Sequence, residues 1–305
     1  MTKFDVVGFG ALNVDTLLKV DRLAGAEEES LVKDCTESCG GSAANTVVGL
    51  ARLGCKVGFI GKVADDREGK LQLDCFSAEG VDTSGIIHAK KGKSGSVLGF
   101  VDKHGARALY INSGVNDTIN RKEIKPDYAS QTKFLHLTSF VGEKSLQTQI
   151  ELLATLPSDV KVSFDPGAVY ARKGYPAMEP IIKRTCVFMP NSLELEQLTG
   201  EPDYCKGADF MIERGVKIVA VKLGDKGCYV TDGRERLRIE SFKVKVVDTT
   251  GAGDAFCAGF LYGLIHGKSL LECGRIANFD ASRCVMQMGA RASLPYEKEL
   301  VAFLG

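Results

Sequence analysis

Short apolar segments alternate along the chain with segments of helical periodicity. Residues 4–10 form an apolar run that ends in glycine, which is typical of a buried parallel strand. Apolar residues then recur at helical spacing over residues 43–53, and Gly54 closes that helix. A strand at residues 57–60 and a helix over about 67–78 repeat the pattern. This alternation predicts the α/β class, with a mostly parallel sheet covered by helices on both faces.

The alternation resumes in the second half of the chain. The predicted strands are residues 134–137, 160–164, 186–189, 218–221 and 228–230, with a strand-like run at 242–247. The predicted helices are residues 144–156, 192–198, 253–266 and 270–287. No internal repeat, low-complexity tract or Pro-rich linker divides the sequence. We therefore expect a single domain over residues 1–305.

Two stretches interrupt this pattern. Strand-like residues 96–101 and 107–111 flank Asp102-Lys103-His104-Gly105, which is a good hairpin signal. The region from residue 12 to residue 39 also contains short strand candidates with little helical periodicity. Excursions over about 12–39 and 92–112 are therefore expected to build a small accessory sheet.

The charge balance excludes some classes of partner. The 305 residues carry 39 basic and 39 acidic side chains, so no overall positive field attracts nucleic acid or an anionic membrane. Neither a membrane-length apolar run nor a signal peptide is visible, and we expect a cytoplasmic protein. The ten cysteines are scattered without C-x-x-C spacing, and we interpret them as reduced, mostly buried small side chains.

Several familiar motifs are absent or incomplete. Residues 263–269 approach the Walker A pattern, but their glycines bracket the end of an apolar helix. Residues 8–13 supply only the first two glycines of G-x-G-x-x-G, which is weak evidence for nicotinamide binding. The four histidines are isolated, and we interpret them as surface or satisfied core residues.

The strongest local signal is Asp248-Thr249-Thr250-Gly251-Ala252-Gly253-Asp254, between the strand-like run and an apolar helix. A carboxylate in a first helical turn needs no role beyond the helix dipole. That role does not explain the three small residues Gly251, Ala252 and Gly253 before it. Small side chains leave backbone N–H groups accessible, and such groups can bind an anion at a helix N-terminus. A carboxylate beside such a site could deprotonate a hydroxyl that attacks a phosphoryl group.

Three further segments carry small or polar residues into a turn. Cys39-Gly40-Gly41-Ser42-Ala43-Ala44-Asn45 opens the first helix, where glycines permit close approach of a ligand and Asn45 offers a donor and an acceptor. Asn191-Ser192-Leu193-Glu194 follows a strand and is also a good helix-capping arrangement. The segment 221–227 is a glycine-bearing turn after a strand.

In this order and spacing, the four segments resemble the ribokinase-like, or PfkB, family of carbohydrate and nucleoside kinases. The resemblance runs from Val6 to about Pro295, and the segment 248–254 matches the family's specific C-terminal signature. It implies a three-layer α/β/α sandwich whose accessory sheet is a lid. It also implies transfer of the ATP γ-phosphoryl group to a hydroxymethyl group of a ribose- or fructose-like sugar or of a nucleoside, assisted by Mg²⁺.

The resemblance also implies roles for individual residues. Asp254 would be the catalytic base, and Gly251, Ala252 and Gly253 would form the anion hole. The acceptor's hydroxyl groups would be held by Asn13, Asp15, Gly40, Gly41 and Asn45. The nucleotide would be lined by Asn191, Lys222, Gly224, Gly227, Asn278 and Gly289. Glu194 would act on Mg²⁺ through water, and Asp248, Thr250 and Ser293 lie where many relatives bind a monovalent cation such as K⁺.

The identity of the acceptor is less well defined. Ribokinases usually carry a glutamate where Thr138 stands here, which argues against free ribose, and residues 162–167 look more like some archaeal nucleoside kinases. Lid side chains such as Leu98, Phe100 and Tyr110 are expected to decide between a sugar and a nucleoside. Relatives often pair lid against lid, so we expect a homodimer.

Other functions remain open from the sequence. A phosphosugar kinase or a vitamin kinase, such as one for pyridoxal, would share the fold, and the full lid strands favour a sugar-type acceptor over pyridoxal. A non-catalytic sugar or nucleotide sensor would have no need for a base at Asp254. A Rossmann oxidoreductase would bind a nicotinamide cofactor.

Overall fold

The computed structural model describes residues 2–104 and 106–304. In chain order, the strands are β1 (Phe4–Phe9), β2 (Asn13–Val20), β3 (Val32–Gly40), β4 (Val57–Ala64), β5 (Ile86–Ala89), β6 (Gly95–Val101), β7 (Arg107–Asn112), β8 (Thr132–Leu137), β9 (Lys161–Phe164), β10 (Thr185–Phe188), β11 (Ile218–Lys222), β12 (Cys228–Thr231) and β13 (Arg236–Ile239). The α-helices are α1 (Ser42–Arg52), α2 (Arg67–Ala78), α3 (Pro126–Ser130), α4 (Glu143–Thr155), α5 (Gly167–Ala171), α6 (Gly174–Ile182), α7 (Ser192–Thr199), α8 (Tyr204–Glu213), α9 (Ala252–Ile265), α10 (Leu270–Cys284) and α11 (Glu297–Leu304). Short 3₁₀ turns occur at Gly114–Thr118, Arg121–Glu123 and Gly224–Lys226.

The central sheet confirms the predicted α/β class. Within the described residues its order is β13-β12-β11-β10-β9-β8-β1-β4-β5, and the pairs from β11 to β5 are parallel. A hydrophobic core lies on each face of this sheet. Along β1, Val6 packs in the core on one face, and Val7 and Phe9 pack in the core on the other. Helices α1, α2 and α9 to α11 cover the first face, whereas α3 to α8 cover the second. The result is a three-layer α/β/α sandwich.

The two excursions form a separate sheet, as expected. Its order is β3-β2-β6-β7 in the described part of the chain, with β2 antiparallel to β3 and parallel to β6. Strands β6 and β7 pair as the predicted hairpin, although Gly105 of the predicted turn lies outside the described residues.

Side chains of β6 and β7 point alternately to the two faces of the small sheet, and this corrects the prediction about its acceptor-selecting residues. Leu98 and Tyr110 face each other across the two strands and are 41% and 64% exposed, and the ring of Phe100 contacts that of Tyr110. Their neighbours Val97 and Leu109 line the cavity beneath the sheet. The prediction that Leu98, Phe100 and Tyr110 decide between a sugar and a nucleoside is therefore wrong, because successive strand residues point to opposite faces and these three line neither cavity.

The prediction of a strand at 242–247 is also wrong, because the chain there is irregular. Its first apolar residue serves packing, since the Phe242 ring contacts those of Phe279 and Phe303, whereas Val246 and Val247 are exposed. The run leads back to the end of α10, where the Val247 and Asp248 N–H groups donate to the carbonyl of Val285. Helix α10 ends at Cys284, earlier than predicted, and α3, α5, α6, α8 and α11 have no counterpart in the predicted pattern.

Polar residues collect where the parallel strands end. Thr138 follows β8, Asp165 follows β9, Asn191 follows β10 by three residues, and Lys222 ends β11. Because these strands are parallel, their carboxyl ends lie at one edge of the sheet, where open α/β sheets bind ligands.

The ten cysteines are free thiols, and six of them are buried. No helix among the described residues combines the length and the apolar character needed to span a bilayer.

Candidate active site

Helix α9 begins at a turn that glycine makes accessible. Gly251 has φ 79°, and a Cβ there would lie 2.6 Å from the Cβ of Ala290. Asp248 organises the turn: its Oδ1 accepts from the N–H and the hydroxyl of Thr250 at 3.0 and 2.7 Å, and its Oδ2 accepts from the Gly289 N–H at 2.8 Å. The first N–H groups of a helix have no acceptor within the helix, so this end of α9 can receive an anion.

Asp254 lies in the first turn of α9 and is held by α1. Its Oδ2 accepts from Asn45 Nδ2 at 2.8 Å, and its backbone carbonyl accepts from the Thr46 hydroxyl at 3.2 Å. Burial raises the pKa of Asp254 to about 7, and the charge of Asp165 adds to the rise, whereas the Asn45 hydrogen bond and two nearby cations oppose it. A carboxyl group with this pKa can accept a proton near neutral pH.

A cavity of about 930 Å³ opens between the small sheet of β3, β2, β6 and β7, which we call the lid sheet, and the start of α9. It is lined by the predicted acceptor-binding residues Asn13, Asp15, Gly41 and Asn45, together with Asp254. Burial raises the pKa of Asp15 to about 6, against the opposing charge of Arg291. Lid residues contribute mainly apolar side chains: Leu17, Val97, Val101, Leu109 and Ile111, with Lys19 as the cation.

The glycine pair at the root of the lid allows a close approach of three segments. Gly41 has φ 107°, and a Cβ there would lie 2.2 Å from the carbonyl oxygen of Ala11. A Cβ on Gly40 would lie 2.2 Å from Asp15 Oδ2. Both positions therefore require glycine if Asp15 is to stand beside the start of α1.

A second cavity of about 290 Å³ adjoins the first at Gly253 and Asp254. Lys222 Nζ lies 2.6 Å from Asp165 Oδ2 in this cavity, and a Cβ on Gly253 would lie 3.3 Å from the same ammonium group. Burial opposes the charge of Lys222, but the pairing with Asp165 raises its pKa overall. A fixed cation thus stands next to the N-terminus of α9.

Asn191 and Glu194 line the second cavity while they cap α7. The Glu194 N–H donates to Asn191 Oδ1 at 2.8 Å, and the Asn191 N–H donates to Glu194 Oε2 at 2.8 Å. The capping arrangement predicted from the sequence is therefore present. Burial raises the pKa of Glu194, with Lys222 opposing the rise.

The structure does not bring every predicted site residue to these cavities. The residues that line neither are Gly40, Ala252, Gly227, Asn278, Gly289 and Ser293. The Ala252 N–H donates to the Thr249 carbonyl at 3.3 Å, so of the predicted trio Gly251 and Gly253 line the larger cavity and Ala252 does not.

Most of these outlying residues have packing roles. Asn278 Nδ2 donates to the carbonyls of Ile239 and Glu240 at 3.2 and 3.0 Å, which ties α10 to the segment after β13. A Cβ on Gly227 would lie 2.0 Å from the Ile239 carbonyl. The Ser293 hydroxyl donates to the Cys284 carbonyl at 3.0 Å. Asn278 and Gly227 thus support the sheet edge rather than line the cavities.

Four charged residues at or beside the cavities were not assigned a role from the sequence: Lys19 and Asp117, which line the larger cavity, Asp165, which lines the smaller one, and Arg291. Asp165 directly follows a buried strand, which is a signal that could have placed it at the carboxyl edge. Arg291 reaches the site from the segment after α10, and its Nε donates to Asn45 Oδ1 at 2.7 Å. No local sequence pattern marks it, because its contact joins positions 246 residues apart.

A helix N-terminus beside a carboxylate, at the edge of an α/β sheet where ligands bind, is an arrangement that can serve phosphoryl transfer to an alcohol. The chain belongs to the pfkB family of carbohydrate kinases, whose family model matches residues 3–297.

Individual relatives agree with this classification. A protein of Archaeoglobus fulgidus described as an uncharacterized sugar kinase is 47% identical over 251 residues, which cover 81% of this chain and 98% of that protein. An ATP-dependent ribose-1-phosphate kinase of Halopiger xanaduensis is 33% identical over 300 residues, which cover 98% and 97%. The crystal structure of a ribokinase from Thermotoga maritima has a TM-score of 0.86 and 29% identity, with 99% of each chain covered.

Proposed function

We propose that the protein transfers the γ-phosphoryl group of ATP to a hydroxymethyl group of a sugar or nucleoside. The observation that carries this proposal is the position of Asp254, where the two cavities meet and where the amides of Gly251 and Gly253 begin α9. Residues 1–305 act as one domain, and the sheet built from the excursions over about 12–39 and 92–112 closes over the larger cavity.

Each side of the junction has its own chemistry. On the acceptor side, Asn13, Asp15 and Asn45 offer the donors and acceptors that orient sugar hydroxyl groups. Asp254 then takes the proton of the attacking hydroxyl group. On the donor side, the amides of Gly251 and Gly253 and the ammonium group of Lys222 stabilise the negative charge of the phosphoryl group during its transfer. Asn191 and Gly224 line the path of the triphosphate.

Mg²⁺ fits the donor side through Glu194. Mg²⁺ prefers oxygen ligands, keeps several waters and is commonly held by one or two carboxylates together with substrate phosphates. Glu194 lines both cavities and uses Oε2 to accept from the Asn191 N–H, whereas Asp165 is paired with the Lys222 ammonium group. Among residues 2–104 and 106–304, no group of three or more His, Cys, Asp or Glu could hold a metal ion, so phosphate oxygens and water would have to complete the coordination of Mg²⁺. When bound, Mg²⁺ neutralises charge on the β- and γ-phosphates.

The remaining expectations rest on the family resemblance. Asp248 and Thr250 lie together at the start of α9, and Ser293 joins them through Cys284, so these three residues stay our proposal for a K⁺ site. The outer face of the lid, with the exposed side chains of Leu98 and Tyr110, supports pairing of two copies lid against lid.

A panel of acceptors tests the proposed function. Purified protein is incubated with ATP and Mg²⁺ and with sugars, sugar phosphates, nucleosides or pyridoxal; ADP release and the phosphorylated product are both measured. We expect at least one sugar or nucleoside to give a phosphate monoester, and Asp254→Asn to lower the rate of its formation at least about a hundredfold. Saturable binding of a sugar or nucleotide without ADP release from any acceptor would instead identify a sensor.

A phosphosugar acceptor is the second candidate. It is favoured by the Halopiger relative, which is named a ribose-1-phosphate kinase, and by Lys19, a cation on the wall of the acceptor cavity. Phosphorylation of a pentose phosphate, but of neither free pentoses nor nucleosides, would establish this alternative.

The pH dependence of catalysis follows from Asp254. Because only its carboxylate form accepts a proton, and its pKa is raised to about 7, kcat/KM is expected to rise with pH through that value and then to level off. Asp15, with a pKa of about 6, adds to the loss of activity in acid. Initial rates at saturating ATP and low acceptor concentration measure this profile. A value of kcat/KM that stays constant from about pH 5 to about pH 8 would contradict the assignment of Asp254 as the base.

A further inference from the structure

Arg291 connects three parts of the site. Its Nε donates to Asn45 Oδ1 at 2.7 Å, and its Nη2 donates to the Gly40 carbonyl at 3.3 Å. Asn45 in turn donates to Asp254 Oδ2 at 2.8 Å. One guanidinium group thus contacts the last residue of a lid strand and a side chain that touches the proposed base.

The contact with Arg291 determines which way the Asn45 amide points. An arginine can only donate hydrogen bonds, so it must meet the amide oxygen. The amide nitrogen is then left to face Asp254, where it donates to a carboxylate that can only accept. A flipped amide would place two donors against each other at Arg291 and two acceptors against each other at Asp254. The flipped state therefore loses both hydrogen bonds.

Arg291 is itself held in place. Its backbone carbonyl accepts from Arg52 Nη1 at 2.7 Å, and Arg52 forms a salt bridge with Glu79 at 2.6 Å. The Arg291 guanidinium lies over the ring of Phe76, with 5.8 Å between the guanidinium carbon and the ring centroid. Its position is therefore fixed by α1, α2 and the lid root together.

We propose that Arg291 is a positioning residue for phosphoryl transfer: it holds the Asn45 amide so that its NH₂ group orients the Asp254 carboxylate, and it ties this pair to the root of the lid at Gly40. The proposal rests on the proposed function in so far as Asp254 is the base. Arg291 acts through Asn45 and does not itself touch the reacting atoms.

The charge of Arg291 has a second effect. It favours the ionised forms of Asp254 and Asp15, against the effect of their burial. The other ionisable groups that face Asp254 are Asp165 after β9, Lys222 on β11, Cys257 on the same helix and Cys284 on α10. Since Lys222 is engaged with Asp165, removal of the Arg291 charge should raise the pKa of Asp254.

Two substitutions separate the effect of the Arg291 hydrogen bonds from the effect of its charge. Arg291→Gln removes the charge, so we expect the midpoint of the kcat/KM profile to move up by about half a pH unit or more. Arg291→Lys keeps the charge, but one ammonium group cannot replace the fork that reaches both Asn45 and Gly40. We expect it to leave the midpoint in place while kcat on the high-pH plateau falls at least about tenfold.

A double-mutant cycle tests whether Arg291 acts through Asn45. Arg291→Gln should lower plateau kcat at least about tenfold in the wild type, but less than about twofold in an Asn45→Ala background. Lys62→Met is the matched control, because it removes a buried cation that is paired with Glu123 away from the cavities. We expect it to reduce stability without moving the pH midpoint. Additive losses of kcat, or an unchanged midpoint in Arg291→Gln, would overturn the proposal.

A readout without turnover separates this proposal from the proposed function. The gain in thermal stability from Asp254→Asn should grow with pH until Asp254 is fully ionised. We compare the pH at which this gain levels off in three backgrounds: wild type, Arg291→Gln and Arg291→Lys. A higher levelling pH in Arg291→Gln alone supports the proposal even if no acceptor is found, and the same levelling pH in all three backgrounds contradicts it.

Discussion

Asp254→Asn is expected to lower kcat by at least about a hundredfold with whichever acceptor the panel identifies. The asparagine can keep the hydrogen bond from Asn45 and fills nearly the same space, but it cannot take a proton from the attacking hydroxyl group. The amides at Gly251 and Gly253 remain, so binding of ATP should change little. Steady-state kinetics on the high-pH plateau measure the effect on kcat and KM separately.

Stability provides the control for this variant. The pKa of Asp254 is raised from 3.8 to about 7, so its carboxylate destabilises the folded state increasingly as pH rises between these values. Asp254→Asn should therefore be about 2–4 kcal/mol more stable than the wild type at pH 8, since one pKa unit corresponds to about 1.4 kcal/mol. The two proteins should be nearly equal near pH 4. Loss of kcat combined with lower stability at pH 8 would point to a damaged fold instead of a missing base.

Gly251→Ala is expected to produce the second large effect. The backbone at Gly251 has φ 79°, and the added Cβ would lie 2.6 Å from Ala290 Cβ and 2.7 Å from its Cα. Because Ala290 opposes this position with backbone as well as side-chain atoms, the turn before α9 must move and the amides of Gly251 and Gly253 lose their common direction. Loss of such donors should lower kcat at least about a hundredfold.

Gly200→Ala is the control, because it measures how much stability an alanine loses in a left-handed backbone without a steric clash. Gly200 closes α7 with φ 74°, and a Cβ there would meet nothing within 4 Å. Gly200→Ala should therefore lose only about 1–2 kcal/mol from its left-handed backbone and keep the wild-type kcat. If Gly251→Ala behaves like Gly200→Ala, with a modest loss of stability and full activity, the turn does not hold the phosphoryl group.

The sequence predicted the parts of the fold that depend on local pattern. Apolar runs such as residues 4–10 and 134–137 are strands of the parallel sheet, and turn chemistry at residues 102–105 marked the β6–β7 hairpin. The run at 242–247 has the same local character but forms no strand in the described chain. Phe242 packs against α10 and α11, whereas Val246 and Val247 are exposed and line the larger cavity. Local propensity does not reveal whether a partner strand is present.

The candidate site was predictable where one segment supplies several groups. The segment 248–254 contains its own turn, anion donors and carboxylate. In contrast, the Lys222–Asp165 pair and the Arg291–Asn45 contact join positions 57 and 246 residues apart, so only the folded topology brings them together. Asn278 shows the opposite case, because it occupies a site position in the family pattern, and its Nδ2 donates here to the carbonyls of Ile239 and Glu240 at the end of β13.

The most direct test of the central claim is a crystal structure of the ternary complex with Mg²⁺, an ATP analogue that resists transfer, and the acceptor identified by the panel. We expect the acceptor's hydroxymethyl oxygen within about 3 Å of an Asp254 carboxylate oxygen. The terminal phosphate should lie on the N–H groups of Gly251 and Gly253. A complex in which the hydroxymethyl group faces away from Asp254, or in which the terminal phosphate lies away from the start of α9, would contradict the account.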